Sequence, residues 1–127
     1  MQTYQIAFEK MDVPSYLLDK DGRLVACNRQ LLRFFGIDVQ DENSIYNMLR
    51  QHGLWTFQQI QNFQQEDMST LISGKKNTQM QAVIHENGDI LYFEMMRTPL
   101  FDESGNGFGL MVTIRDVTKQ KQNKAGN

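Results

Sequence analysis

Ser15-Tyr16-Leu17-Leu18-Asp19-Lys20-Asp21-Gly22-Arg23-Leu24-Val25-Ala26-Cys27 reads as two strands folded on a tight turn. Asp21-Gly22 supplies the positive backbone angles of a short hairpin, and apolar side chains run out from it on both sides. Asn28 stands where it can cap a helix over Arg29 to Phe35, with Leu31, Leu32, Phe34 and Phe35 on the buried side and Gly36 as the stop. A second hairpin lies downstream: Thr78 to His85 alternates, Glu86-Asn87-Gly88-Asp89 turns, and Ile90 to Thr98 returns. Pro99 is expected to end that pairing. After a polar turn from Asp102 to Gly107, Phe108 to Arg115 makes a fifth strand.

The remaining segments read as helices. Tyr4, Ala7, Phe8 and Met11 form one apolar stripe over residues 3–11, which Pro14 closes. Asn43 or Ser44 caps a short helix through Ile45, Met48 and Leu49. Residues 51–65 are rich in Gln, yet Trp55, Phe57, Ile60 and Phe63 recur near helical spacing. Glu66 to Ser73 is read as a further short helix, buried through Met68, Leu71 and Ile72 and ended by Gly74. The adjacent acids Glu66-Asp67 at its start suit the helix dipole. Asp116-Val117-Thr118 leads into a polar, basic exit from Lys119 to Lys124. Two strand groups separated by helices close one antiparallel sheet with the helices on one face, an α+β domain.

A chain of 127 residues holds one domain, and 40% hydrophobic with 22% charged residues is ordinary for one. The single Cys27 excludes an internal disulfide and a Cys-rich zinc site. A formal charge of −2 supplies no basic field for nucleic acid or anionic lipid. No apolar run is long enough to span a bilayer, so no direct membrane contact is expected. Met1-Gln2-Thr3-Tyr4-Gln5 lacks the regions of a secretion signal, and the expected setting is cytoplasmic.

This order of elements, with these residues at its joints, resembles the PAS sensory domain over roughly residues 5–122. The carriers are Leu18-Asp19-Lys20-Asp21-Gly22-Arg23-Leu24, then Asn28 opening a helix that ends Phe34-Phe35-Gly36. Asn87-Gly88-Asp89-Ile90-Leu91-Tyr92-Phe93-Glu94, Thr98-Pro99-Leu100, Asp102-Glu103-Ser104-Gly105 and Arg115-Asp116-Val117-Thr118 complete them. The resemblance implies a five-stranded antiparallel sheet with short helices over one face, a cavity between them, and an N-terminal flanking helix. It divides the chain into a flank (residues 1–12), a core (13–115) and an output linker (116–127).

Alternation then nominates pocket residues. Leu91, Phe93 and Met95 share one face, and Val112 and Ile114 face the same side from the last strand. Phe35, Met48, Leu49 and Leu71 approach from the helices. The strand before Gly88 has two registers. A two-residue turn sends Met80, Ala82 and Ile84 inward, whereas a three-residue turn sends Gln81 and Val83 inward. The family's register favours the second, and Gln81 would then need a polar partner inside. On the opposite face, Ile90, Tyr92, Met96 and Met111 would be exposed unless something covered them. The helix carrying Tyr4, Phe8 and Met11, from the same chain or a neighbour, is the expected cover, and this is the argument for a homodimer.

Specific chemistries fare less well. Flavin photosensors of this family carry a cysteine within a helical Asn-Cys-Arg motif, and polar side chains meet the flavin from the positions of Phe93 and Ile114. Cys27 sits at a strand end instead, and both of those positions are apolar. His52 lies in the helical flank from which haem-binding relatives draw a ligand, but a lone His beside a loop is more often solvated or hydrogen-bonded. His85 falls near a hairpin end. No cofactor is required by these residues. The segment from Asp102 begins like a calcium loop, yet its twelfth position is Thr113 rather than Glu. Gly105, Gly107 and Gly109 precede a strand, so they are no dinucleotide fingerprint. No nucleophile elbow or paired-carboxylate site is visible, and no enzyme activity is expected.

The resemblance implies a sensor module. A small molecule in the cavity shifts a two-state equilibrium; Asp116 and Thr118 read either as plain caps of the next helix or, as the resemblance implies, as the joint that couples the last strand to an output helix, and the two readings are compatible. The effector would be a histidine kinase or cyclic-dinucleotide enzyme in the same polypeptide. The competing expectation is a ligand-free dimerisation module whose cavity is filled by Phe34, Phe93, Met95 and Ile114.

Overall fold

Two carboxylates set the first and last hairpin turns. Asp19 Oδ1 accepts the backbone N–H groups of Asp21 and Arg23, both at 2.9 Å, and Asp102 Oδ1 accepts those of Ser104 and Asn106 at the same distance. Each Asp thereby replaces a backbone acceptor inside its turn. The segment from Asp102 is therefore a hairpin connection, and its carboxylate is used within the loop.

The computed structural model describes residues 2–38, 44–52, 54–84 and 87–125. Its elements run α1 (Gln2–Glu9), β1 (Ser15–Asp19), β2 (Leu24–Cys27), α2 (Arg29–Phe35), α3 (Ile45–His52), α4 (Phe57–Ser73), β3 (Asn77–Ile84), β4 (Ile90–Phe101), β5 (Gly107–Asp116) and α5 (Thr118–Ala125). The strands form one antiparallel sheet in the order β2-β1-β5-β4-β3. The inner face, with α2, α3 and α4 packed on it, holds the main core. The outer face carries a smaller cluster beneath α1.

Asn28 ties the first hairpin to α2. Its Oδ1 accepts from Leu31 N–H at 2.9 Å, capping the helix, and from Ser15 N–H at 3.1 Å, while its Nδ2 donates to Val13 O at 2.6 Å. Gly36 ends α2 with φ 74°, a left-handed conformation that suits glycine. Ser44 Oγ accepts from Asn47 N–H in the first turn of α3. Asn43, the other expected cap, lies outside the described residues, as do His85 and the side chains of Tyr4 and His52.

Three boundaries differ from the sequence reading. The apolar stripe at residues 3–11 is helical only to Glu9, and Met11 reaches the outer cluster from the turn that follows. The short helix expected from Glu66 is the second half of a 17-residue helix that begins at Phe57. A capping box starts it: Thr56 Oγ1 accepts from Gln59 N–H at 3.1 Å and Gln59 Oε1 accepts from Thr56 N–H at 2.7 Å. Asp67 is therefore mid-helix rather than at a positive helix end. Pro99 also does not end the pairing, because β4 continues against β5 to Phe101. Its partner on the other side stops at Asn77, opposite Arg97, so the proline ring lies where β4 has an open edge and no N–H is needed.

Candidate functional site

The second of the two registers for β3 is the one adopted. Gln79 pairs with Met95, Gln81 with Phe93 and Val83 with Leu91, so all six share the inner face. Above this face, Phe35, Met48 and Leu49 from the helices and Phe93, Met95, Val112 and Ile114 from the sheet are fully buried in one cluster. Leu71, Val83 and Leu91 are partly buried and pack against it. Gln81 is half-buried and donates from Nε2 to Gln79 Oε1 at 3.1 Å.

Aromatic rings occupy the middle of this space. Phe34 meets Phe93 edge-on with centroids 5.2 Å apart, and Trp55 meets Phe35 and Phe63 at 5.5 Å each. The Trp55 indole N–H donates to Phe35 O at 3.1 Å, which fixes the ring against the end of α2. Trp55 and Phe63 were not among the nominated pocket residues, although their spacing had already placed them on a helical stripe.

A charged knot lies beside the rings. Arg97 and Asp67 are both 0% exposed, and Arg97 Nε donates to Asp67 Oδ1 at 2.6 Å. The other carboxylate oxygen accepts from the Tyr16 and Tyr46 hydroxyls at 2.7 and 2.6 Å. The knot thus joins α3 and α4 to β1 and β4 through one carboxylate. Burial pushes the Asp67 carboxyl above the usual range, opposed by Arg97 and the hydrogen bonds that favour the anion. Burial first, and then the Asp67 charge, pushes both tyrosine hydroxyls well up, so they remain donors. The sequence reading missed this knot. Its signal was a charged residue at an inward position: Arg97 continues the alternation Leu91, Phe93, Met95, and Asp67 follows Ile60 and Phe63 on the buried side of α4.

The exit joint grips β4 through its backbone. Thr118 Oγ1 accepts from Tyr92 N–H at 2.9 Å and donates to Tyr92 O at 3.2 Å. Val117 N–H donates to the same carbonyl at 2.8 Å, and the Val117 side chain is buried. Asp116 Oδ1 accepts from Thr118 N–H at 2.9 Å, holding the first turn of α5. Residues 92 and 93 are adjacent, so the clasp lies one peptide from the Phe93 ring in the interior.

Part of the outer-face group lies in one cluster. Phe8 and Met11 pack with Met111, Leu17, Ala26 and Leu100 at the β2 side of the sheet. Ile90 and Tyr92 are half-buried elsewhere on that face, and Met96 is exposed. Among the described residues, no group of three His, Cys, Asp or Glu side chains is placed to hold a metal ion, and no helix is long and apolar enough to cross a membrane.

A family model described as the PAS fold matches residues 8–122. The chain belongs to the PAS-fold family. A search of curated proteins finds no significant match. Solved structures share this fold. The PAS domain of Bordetella pertussis BvgS has a TM-score of 0.68 at 16% identity, covering 99% of this chain and 97% of that one. A PAS domain from Colwellia psychrerythraea gives 0.62 at 22% identity, covering 93% and 97%. The phage VqmA–DPO complex gives 0.74 at 18% identity, covering 98% of this chain but 56% of that one. At these identities the likeness is one of fold. The PAS domain described here is a signalling module by family, with an aromatic cluster in its interior, a buried ion-pair knot and a clasped exit helix.

Proposed function

We propose that this PAS domain is a regulatory sensor module that passes the state of its interior through β4 to α5. The observation that carries the reading is the clasp of Thr118 on both backbone groups of Tyr92, next to Phe93. A change in interior packing that shifts β4 changes the geometry of two hydrogen bonds and a buried valine at the root of α5. Such a joint biases a two-state equilibrium between a docked and a released helix. The effector, a histidine kinase or a cyclic-dinucleotide enzyme, is proposed to follow α5 in the same polypeptide. Residues 1–12 are proposed as flank, 13–115 as core and 116–127 as output segment. Homodimerisation through the outer face and a cytoplasmic setting belong to the same reading, and so does the absence of catalysis.

The experiment is Thr118→Val, which keeps the side-chain shape and removes the hydroxyl. Losing these bonds costs about 1 kcal/mol, or roughly fivefold in the docking equilibrium of α5. Amide hydrogen exchange in α5 should therefore accelerate by about that factor while β1 exchange stays put. Equal exchange rates in α5 would refute the relay.

The rings of Phe34, Phe35, Trp55, Phe63 and Phe93 favour a second reading, a ligand-free PAS module that dimerises. Mass spectrometry and a visible absorption scan of denatured protein separate the two, because a retained small molecule, haem or flavin excludes the self-filled interior.

A further inference from the structure

β3 lies at the margin of the sheet, and its outward backbone groups can be named. Tyr92 turns both its N–H and its C=O toward Val117 and Thr118, on the β5 side of β4. Successive residues of a strand turn their backbone groups to opposite edges. Leu91, Phe93, Met95 and Arg97 therefore bond their partners on β3, which are Val83, Gln81, Gln79 and Asn77. Thr78, Met80, Ala82 and Ile84 are left facing outward, and among the described residues nothing meets their N–H and C=O groups. Strands exposed in this way are normally short, or carry Lys, Pro or a bulge. β3 has 8 residues with no charge, no proline and no break in register. The other margin differs, because at β2 the Gln5 side chain already engages both backbone groups of Cys27. On the outer face of β3, Met80 and Ile84 are 47% and 73% exposed.

We propose that the open edge of β3 pairs with β3 of a second copy of this chain, antiparallel and about a two-fold axis at Gln81. Charge and register both select a second copy. The chain enters β3 through exposed Lys75 and Lys76, and the turn after it carries exposed Asp89. Antiparallel pairing sets the basic end of one strand beside the acidic end of the other, whereas a parallel partner would bring like charges together. Centred on Gln81, Thr78 of each copy stands opposite Ile84 of the other, and Met80 opposite Ala82. Every outward residue then exchanges bonds with an outward residue. The same register covers the exposed Met80 and Ile84 side chains across the seam. Because Gln5 guards the β2 margin, the assembly closes at two copies instead of growing as a sheet. The seam runs beside the exit helix, since Met80 shares a surface depression with Val117 and with Gln120 and Lys121 of α5. This edge pairing is separate from the outer-face contact of the sensor reading and does not depend on that reading.

Sedimentation equilibrium of the 127-residue chain should show monomer and dimer with a Kd of about 10–100 μM, as befits a small interface. Ala82→Pro removes one outward N–H from each copy without cutting the ladder to β4. It should weaken the dimer about thirtyfold, the equivalent of two lost hydrogen bonds. Ile84→Lys places a charge diagonally across from Lys76 of the other copy and should weaken the dimer in the same direction, and it serves if the proline variant does not fold. Gln81→Cys reads the register. Opposed residues of a pair without mutual hydrogen bonds have Cα atoms about 4.5 Å apart, within disulfide reach, so the oxidised variant should run as a covalent dimer. A dimer formed through the outer face would not give that bond, because Gln81 lies on the inner face. A chain that stays monomeric at every concentration would leave the edge bare or reserved for a different extended chain, and overturns the proposal. So does a dimer that Ala82→Pro and Ile84→Lys leave intact, a Gln81→Cys variant that stays uncrosslinked on oxidation, or a mass that keeps rising past two copies.

Discussion

Removing one member of the Asp67–Arg97 pair should cost far more than removing both. In Arg97→Met the carboxylate stays buried and keeps its two tyrosine donors but loses its counter-ion, 2.6 Å away. Breaking a buried pair in this way costs about 3–5 kcal/mol. Asp67→Leu is harsher. It strands a fully buried guanidinium and also leaves the Tyr16 and Tyr46 hydroxyls without their acceptor, each adding about 1–3 kcal/mol. Against a total stability of about 5–15 kcal/mol, that single change approaches the limit of folding. The double variant removes both charges and leaves only the hydroxyls, so it should be more stable than Asp67→Leu alone. Adding Tyr16→Phe and Tyr46→Phe should recover more. Urea unfolding followed by circular dichroism measures this directly. With a slope of about 1–3 kcal/mol per molar, a loss of 4 kcal/mol moves the midpoint by roughly 2 M. A double variant whose loss equals the sum of the singles would mean that the two side chains do not feel each other, and the reasoning would fail.

Gly109→Ala should destabilise by about 1–3 kcal/mol, read by thermal melting, because a Cβ there would stand 2.5 Å from the Leu18 carbonyl oxygen of β1. A variant that melts with the parent would show that β1 and β5 can spread at no cost. Asn28→Ala should lose about 1–2 kcal/mol, since one side chain both caps α2 and holds Ser15. A loss of a few tenths in the urea midpoint energy would count against that double role. Burial, reinforced by Glu9, pushes the Cys27 thiol up to about 11, and burial also raises Tyr16 and Tyr46. These groups hold protons more tightly folded than unfolded, so their contribution is full below the unfolded values and stability falls as pH rises from about 9. Cys27 should resist iodoacetamide at pH 8 until the chain unfolds, and labelling at the rate of a free thiol would contradict its burial.

The hairpins were legible because their signals are local. Asp-Gly and Asn-Gly fix turns, and a two-residue period fixes which side chains share a face. Register across Gly88 was not local, since it depends on turn length, and it came from the likeness to PAS domains. The start of α4 was written in Thr56 and Gln59 but was overlooked among the glutamines. The knot was the hardest part. Asp67 and Tyr16 are 51 residues apart, and nothing near Asp67 in the chain announces that Arg97 will arrive beneath it. The alternation of β4 and the stripe of α4 put both charges on buried faces, a signal the sequence reading did not use. Only the packing of α4 over β4 makes them partners.

Gln5 has a consequence for how the domain is handled. Its side-chain amide bonds the Cys27 backbone twice, donating to O at 2.8 Å and accepting from N–H at 3.3 Å. It therefore behaves as one residue of an absent sixth strand beside β2, which is an outermost strand of the sheet. A fragment trimmed to the span of the family match, starting at residue 8, would discard that guard. The bared margin would then be open to any other extended chain, and such a fragment should form higher-order aggregates through that edge at concentrations where the longer chain does not.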